Sequence, residues 1–108
     1  MSPREYLGGF ELVVLLALAR VRDNAYGASI HREILESTGR DVAIPAVYVT
    51  LRRLENKGFV SSSIGSSEES GDRATRNYTI LPAGFDALQR TRETLESLWD
   101  LASCRSRS

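Results

Sequence analysis

Between Phe10 and Val21 the chain leaves a helix almost nothing to show to water. Phe10, Leu12, Val13, Val14, Leu15, Leu16 and Leu18 fall on nearly every face of a 3.6-residue turn. A helix apolar all round belongs at the centre of a bundle or across a bilayer. From Phe10 to Ala19 the run is about ten residues, roughly half of what a bilayer requires. Arg20, Arg22 and Asp23 follow it, with no small-residue cleavage pattern behind them. It reads as the buried core helix of a small cytoplasmic protein, and the other segments must be arranged around it.

Those segments punctuate clearly. Residues 1–9 are a short polar arm ending in Gly8-Gly9. Asp23-Asn24 supplies capping chemistry for a second helix, whose core stripe is Tyr26, Ile30, Ile34 and Leu35 and whose outer face holds Arg32, Glu33 and Glu36. Thr38-Gly39 ends it. After a linker from Arg40 to Ile44, Pro45 is placed like a first-turn proline and opens a third helix that reaches Lys57 and stops at Gly58. At 100° per residue, Val47, Leu51 and Leu54 converge inward. Pro45, Val49, Arg52, Arg53 and Asn56 point the other way, flanked by Ala46, Tyr48 and Thr50.

The remainder is a hairpin and a helix. Residues 59–64 permit a strand, Gly65 to Asp72 is a Ser-, Gly- and Glu-rich tip, and Arg76 to Ile80 alternates so that Tyr78 and Ile80 face the core. Pro82-Ala83-Gly84 starts a final helix with Phe85, Leu88, Leu95, Leu98, Trp99, Leu101 and Ala102 as its apolar positions; residues 103–108 read as a frayed end. The expected fold is mainly α with a small β wing: a winged helix-turn-helix in residues 1–81, then a C-terminal dimerisation helix and tail in 82–108. In the final helix the spacing of Phe85, Arg92 and Trp99, and of Leu88, Leu95 and Ala102, is seven residues, a seam that asks for a partner.

At 108 residues and 42% hydrophobic content there is room for one domain and one extra helix. Fourteen basic and fourteen acidic side chains cancel, so no global field announces nucleic acid; the argument is local, with Arg52, Arg53 and Lys57 against Glu55 in residues 45–58. Cys104 is alone and cannot close a disulfide within the chain. His31 and Cys104 are single and far apart, so no metal or other cofactor is expected. No nucleophile–base pairing or phosphate-cradling loop appears, and the chain does not read as an enzyme. His31 is expected as an idle residue on the exposed side of its helix.

Several short stretches, in this order, resemble the PadR family of transcriptional regulators. They are Leu7-Gly8 with Phe10-Glu11-Leu12, Ala25-Tyr26-Gly27, Thr38-Gly39, Ala46 to Leu51 leading into Arg53 to Gly58, Arg73 to Ile80, and Ala83-Gly84 before a helix ending in Leu98-Trp99. The resemblance implies a homodimer in which the last helix packs on the partner's first. It also implies repression of a nearby promoter through a palindromic double-stranded operator, relieved by a small molecule or by loss of the dimer's DNA-competent shape. Val49 stands where many relatives carry proline, Pro45 where they carry glycine, and Leu81 where a threonine cap is common.

The DNA-reading residues expected on this basis are Pro45, Ala46, Tyr48, Val49, Thr50, Arg52, Arg53 and Lys57. Arg73 and Arg76 carry the wing's contact, because Glu68 and Glu69 at its tip would repel phosphate. Val49 would pack on a thymine methyl or be a partly covered surface valine. Tyr48 would donate to DNA or close the gap between helices. Phe85, Leu88, Arg92, Leu95, Leu98 and Trp99 form the expected dimer seam. Trp99 is either an interface anchor or a wall for flat aromatic effectors. The rival reading is a winged helix that binds protein and has lost DNA, motivated by the neutral charge and the acidic tip.

Overall fold

A computed structural model describes residues 7–22, 25–66 and 74–106, with side chains placed for 7–22, 25–65 and 76–100. Its order is α1 (Gly9–Val21), α2 (Gly27–Thr38), α3 (Ile44–Asn56), β1 (Val60–Ser66), β2 (Ala74–Ile80) and α4 (Pro82–Ser106). This is the winged helix-turn-helix expected from the pattern. The capping positions Asp23-Asn24, the wing tip with Glu68 and Glu69, and Arg73 lie outside the described residues.

The helix α1 is central, packed on α2, α3, β2 and α4. Val14 and Leu15 are fully buried and Leu18 nearly so, against Ile30 and Ile34 of α2 and Val47, Leu51 and Leu54 of α3. Burying each such side chain is worth about 1.5–3 kcal/mol, so this interlock is the main source of stability in the trihelical body. Gly39 and Gly58, with φ of 74° and 82°, end α2 and turn the chain from α3 into β1.

Three details of α2 differ from expectation. The helix begins at Gly27, not beside Asp23-Asn24, and the Tyr26 N–H donates to Ser29 Oγ at 3.0 Å. Leu35 is 39% exposed and leaves the core stripe to Ile30 and Ile34, one turn apart. His31 is not idle: its Nε2–H donates to the Val42 carbonyl at 2.7 Å, fastening the linker before α3 to α2.

The strands β1 and β2 pair antiparallel, with Val60 opposite Ile80, Ser62 opposite Tyr78 and Ile64 opposite Arg76. Alternation places Val60 and Tyr78 inside, as the period-two pattern requires; Ile64 shares their face but lies further along the wing and is 67% exposed. The Tyr78 N–H donates to the Ala25 carbonyl at 2.7 Å and ties the wing to the start of α2.

Gly84 is where α4 meets this body. A β-carbon there would stand 2.3 Å from the Phe59 carbonyl oxygen, so only glycine lets the helix lie on the turn before β1. Ala87 and Thr91 continue that buried face. Beyond Thr91 the described side chains of α4 are exposed except the half-buried Thr94. At 25 residues α4 is about 37 Å long. Its projection explains a radius of gyration of 15.7 Å, against about 13 Å for a compact chain of this size.

Candidate nucleic-acid interface

The outer face of α3 is built by the same periodicity that buries its inner one. Val47, Leu51 and Leu54 are fully buried, so residues about 180° away are forced outward: Val49 is 53% exposed, and Pro45, Ala46, Arg52, Arg53 and Asn56 are exposed with it. Arg52 and Arg53 make no ion pair among the described residues. A guanidinium offers a planar fork of donors that suits guanine edges and phosphates.

Two residues expected on this face, Thr50 and Lys57, are engaged elsewhere, and Tyr48 takes one of the two roles open to it. Thr50 is turned inward at 5% exposure, its Oγ1 donating to the Ala46 carbonyl at 2.8 Å, a common resting place for a helical threonine. Lys57 bends back across α1, and its Nζ donates to Glu11 Oε2 at 2.7 Å and Oε1 at 3.0 Å. Tyr48 lies over the α-carbon of Gly27, where a β-carbon would meet Cζ at 2.3 Å. It therefore closes the gap between α2 and α3, with 45% of the residue still exposed.

Glu11 was not anticipated as a site residue. It is the third residue of α1, accepts the Gly8 N–H at 3.0 Å, and is only 12% exposed at its side chain. Burial pushes its carboxyl upward, but the hydrogen bonds from Lys57 and Gly8 and the charges of Lys57 and Arg53 outweigh that and hold it below the usual carboxylate range. The partners are 46 residues apart, so no local pattern could have found them.

A second polar cluster fills the angle between α3 and the wing. Glu55 accepts the Ser62 hydroxyl at 2.6 Å, and Ser62 accepts Arg76 Nη1 at 2.9 Å. The cleft there, about 380 Å³, is lined by Tyr48, Arg52, Glu55, Arg76 and Tyr78. Burial pushes the Tyr78 phenol above its ordinary value, although Arg76 and Arg52 pull it down, so it stays neutral. Arg76 thus sits where the sequence put it, exposed on the second strand, but it is held toward α3 by a carboxylate one hydroxyl away.

On the opposite side, α1 and α4 leave a groove of about 500 Å³ lined by Leu12, Leu16, Phe85, Leu88, Leu95 and Trp99 among others. Phe85, Leu95, Leu98 and Trp99 are 57%, 40%, 60% and 67% exposed. Arg92, on the same face, pairs with Glu96 one turn on, Nε to Oε2 at 3.4 Å. Among the described residues no group of three or more His, Cys, Asp or Glu side chains is placed to hold a metal ion. No described helix is long and apolar enough to cross a membrane.

Comparison with known proteins gives a consistent picture. Residues 14–90 match the transcriptional regulator PadR-like family. No curated protein matches the sequence. Among solved structures, a PadR family transcriptional regulator from Eggerthella lenta superposes with a TM-score of 0.73 at 23% identity, over 89% of this chain and 82% of that one. A PadR family transcription regulator from Clostridium difficile gives 0.73 at 20% identity, over 89% and 96%. RosR of H. salinarum, in a complex structure called hsRosR-S1, gives 0.62 at 26% identity, over 96% and 98%.

Proposed function

The chain belongs to the PadR-like family of transcriptional regulators, and on that premise we propose that it is a sequence-specific DNA-binding repressor acting as a homodimer on a palindromic operator. The observation that carries the reading is the pair Arg52 and Arg53, exposed and without an ion-pair partner among the described residues on the outer face of α3. A helix fits the major groove of B-DNA, and a hairpin beside it reaches the flanking backbone. In this reading α3 enters the groove, Arg52 and Arg53 supply the base and phosphate contacts, and Arg76 touches the backbone from the wing. Net neutrality then limits non-specific attraction and leaves discrimination to local contacts.

The exposed apolar face of α1 and α4 supports the dimer, since a contiguous exposed apolar patch on a small protein usually marks an interaction surface. A second copy covering that face sets the spacing between the two α3 helices. A small aromatic molecule lodged against Trp99 in the groove would shift that spacing and release the promoter. The test is an electrophoretic mobility shift on the promoter of the chain's own gene. Retardation that weakens steeply with salt, and that is lost in the double variant Arg52→Ala/Arg53→Ala with its melting temperature unchanged, is the expected result. No shift even at low salt would overturn the reading in favour of a protein-binding winged helix.

A further inference from the structure

The first two turns of α3 carry almost nothing that can donate or accept a hydrogen bond outward. Ile44 is 44% exposed and Val49 53%, with Pro45 and Ala46 exposed between them. The two hydroxyls of this stretch are both turned away. Thr50 Oγ1 is spent on the Ala46 carbonyl, and the Tyr48 hydroxyl lies over Gly27. The backbone offers little more: Pro45 has no N–H, and the N–H groups of Ala46 and Val47 close on the Ala43 carbonyl at 3.1 and 3.3 Å. Apart from Tyr48 at its flank, outward polar side chains on α3 begin at Arg52.

In helix-turn-helix proteins the N-terminal residues of the recognition helix are those that face the base edges. An apolar surface there has one favourable complement in the major groove, the C5-methyl group of thymine. The other groups on that floor are polar, and covering them with a valine or isoleucine strips their water without replacing it. Continuity with Arg52 and Arg53 on the same face identifies the occupant as DNA, because those two cations match phosphate and guanine and have no ion-pair partner among the described residues. We propose, resting on the DNA-binding reading above, that Val49, with Pro45 and Ala46 beside it on the same face, is a specificity-determining residue that selects operators by their thymine methyl groups. Arginine contacts then flank an apolar centre in each half-site.

The experiment uses duplexes enriched by the whole protein from a random 40-base-pair pool, resynthesised with deoxyuridine for thymidine. This removes each C5-methyl and keeps every base pair. Affinity is expected to fall about four-fold for each methyl in contact. Val49→Ala, an exposed change in a good helix former, should bind the thymidine duplex more weakly and discriminate less between the two duplexes. Equal affinity for both forms within about two-fold, alongside retained preference over a scrambled duplex, overturns the methyl reading and leaves the repressor reading standing. A methyl effect that is the same in wild type and Val49→Ala places its origin in the duplex and overturns the assignment to Val49. Failure to enrich any sequence at low salt removes the DNA-binding reading and this inference with it.

Discussion

The ring of Tyr48 rests on the α-carbon of Gly27, so closely that a β-carbon at that position would stand 2.3 Å from Cζ and 2.5 Å from the hydroxyl oxygen. The contact fixes the angle between α2 and α3 and therefore the presentation of Val49, Arg52 and Arg53. Alanine at a helix position ordinarily gains up to about 1 kcal/mol over glycine. Here it must evict the ring. We expect Gly27→Ala to cost about 1–2 kcal/mol in urea denaturation, and the same change to be neutral or stabilising in a Tyr48→Ala background. Additive effects would mean that the contact carries no coupling. Gly84→Ala should cost more, about 3 kcal/mol or above, because its obstacle is the backbone carbonyl of Phe59 rather than a side chain that can swing out.

What could be read from the sequence follows the range of the interactions. The inner face of α3 was legible because Val47, Leu51 and Leu54 repeat with the helix period, and the outer face followed by geometry. The inward turn of Tyr78 was legible because a strand's alternation puts it on the core face, whereas the register of Val60 against Ile80 was not. Periodicity assigns direction and not partners, so it could not see Lys57 reaching Glu11, and it offered gap closure for Tyr48 without naming Gly27 as the residue it covers. It also misplaced Thr50 and Leu35. These lie at the border between faces, where a backbone carbonyl or a neighbouring helix decides what the 100° wheel leaves open.

The Glu11–Lys57 pair makes stability pH-dependent. The folded carboxyl lies below its ordinary value, so its contribution is fully present above the unfolded value of about 4.3 and is lost as pH falls through the folded one. A series of urea midpoints from pH 7 to pH 3 should decline in that window, and Glu11→Gln should flatten the decline. Lys57→Met should lower the unfolding free energy at pH 7 by about 1–2 kcal/mol, since it strands a carboxylate that is 12% exposed. Its effect on operator affinity should be smaller than that of Arg52→Ala. A Lys57→Met protein that is fully stable but cannot bind DNA would return Lys57 to the reading face.

Thr91 is 5% exposed, and its Oγ1 has no hydrogen-bond partner among the described residues. An unsatisfied buried hydroxyl costs about 1–3 kcal/mol, whereas an apolar group of the same shape carries no such penalty. Thr91→Val should therefore raise the thermal midpoint, by a gain of about 1 kcal/mol, with the circular dichroism spectrum unchanged. A fall would mean that the hydroxyl finds a partner, and α4 of the proposed second copy is the first place to look.

Phe85, Leu95, Leu98 and Trp99 are each at least 40% exposed on one chain, and Leu16 of α1 is 46% exposed beside them. Apolar groups arranged at helical spacing along a projecting helix are stable in water only when something covers them, and a second copy presents an identical face. Sedimentation at tens of micromolar (about that range is needed for a moderate dimer) should give a mass twice 12.0 kDa. Trp99 is the chain's only tryptophan, so its emission should shift to the red on dilution as the ring passes from interface to water. Melting temperature should rise with protein concentration, as it does whenever folding and association are linked. Leu95→Glu should abolish all three effects while leaving the trihelical body folded, because the residue supports no contact in that core. A monomer at those concentrations with concentration-independent emission would show that α4 is covered by something other than a second copy of this chain.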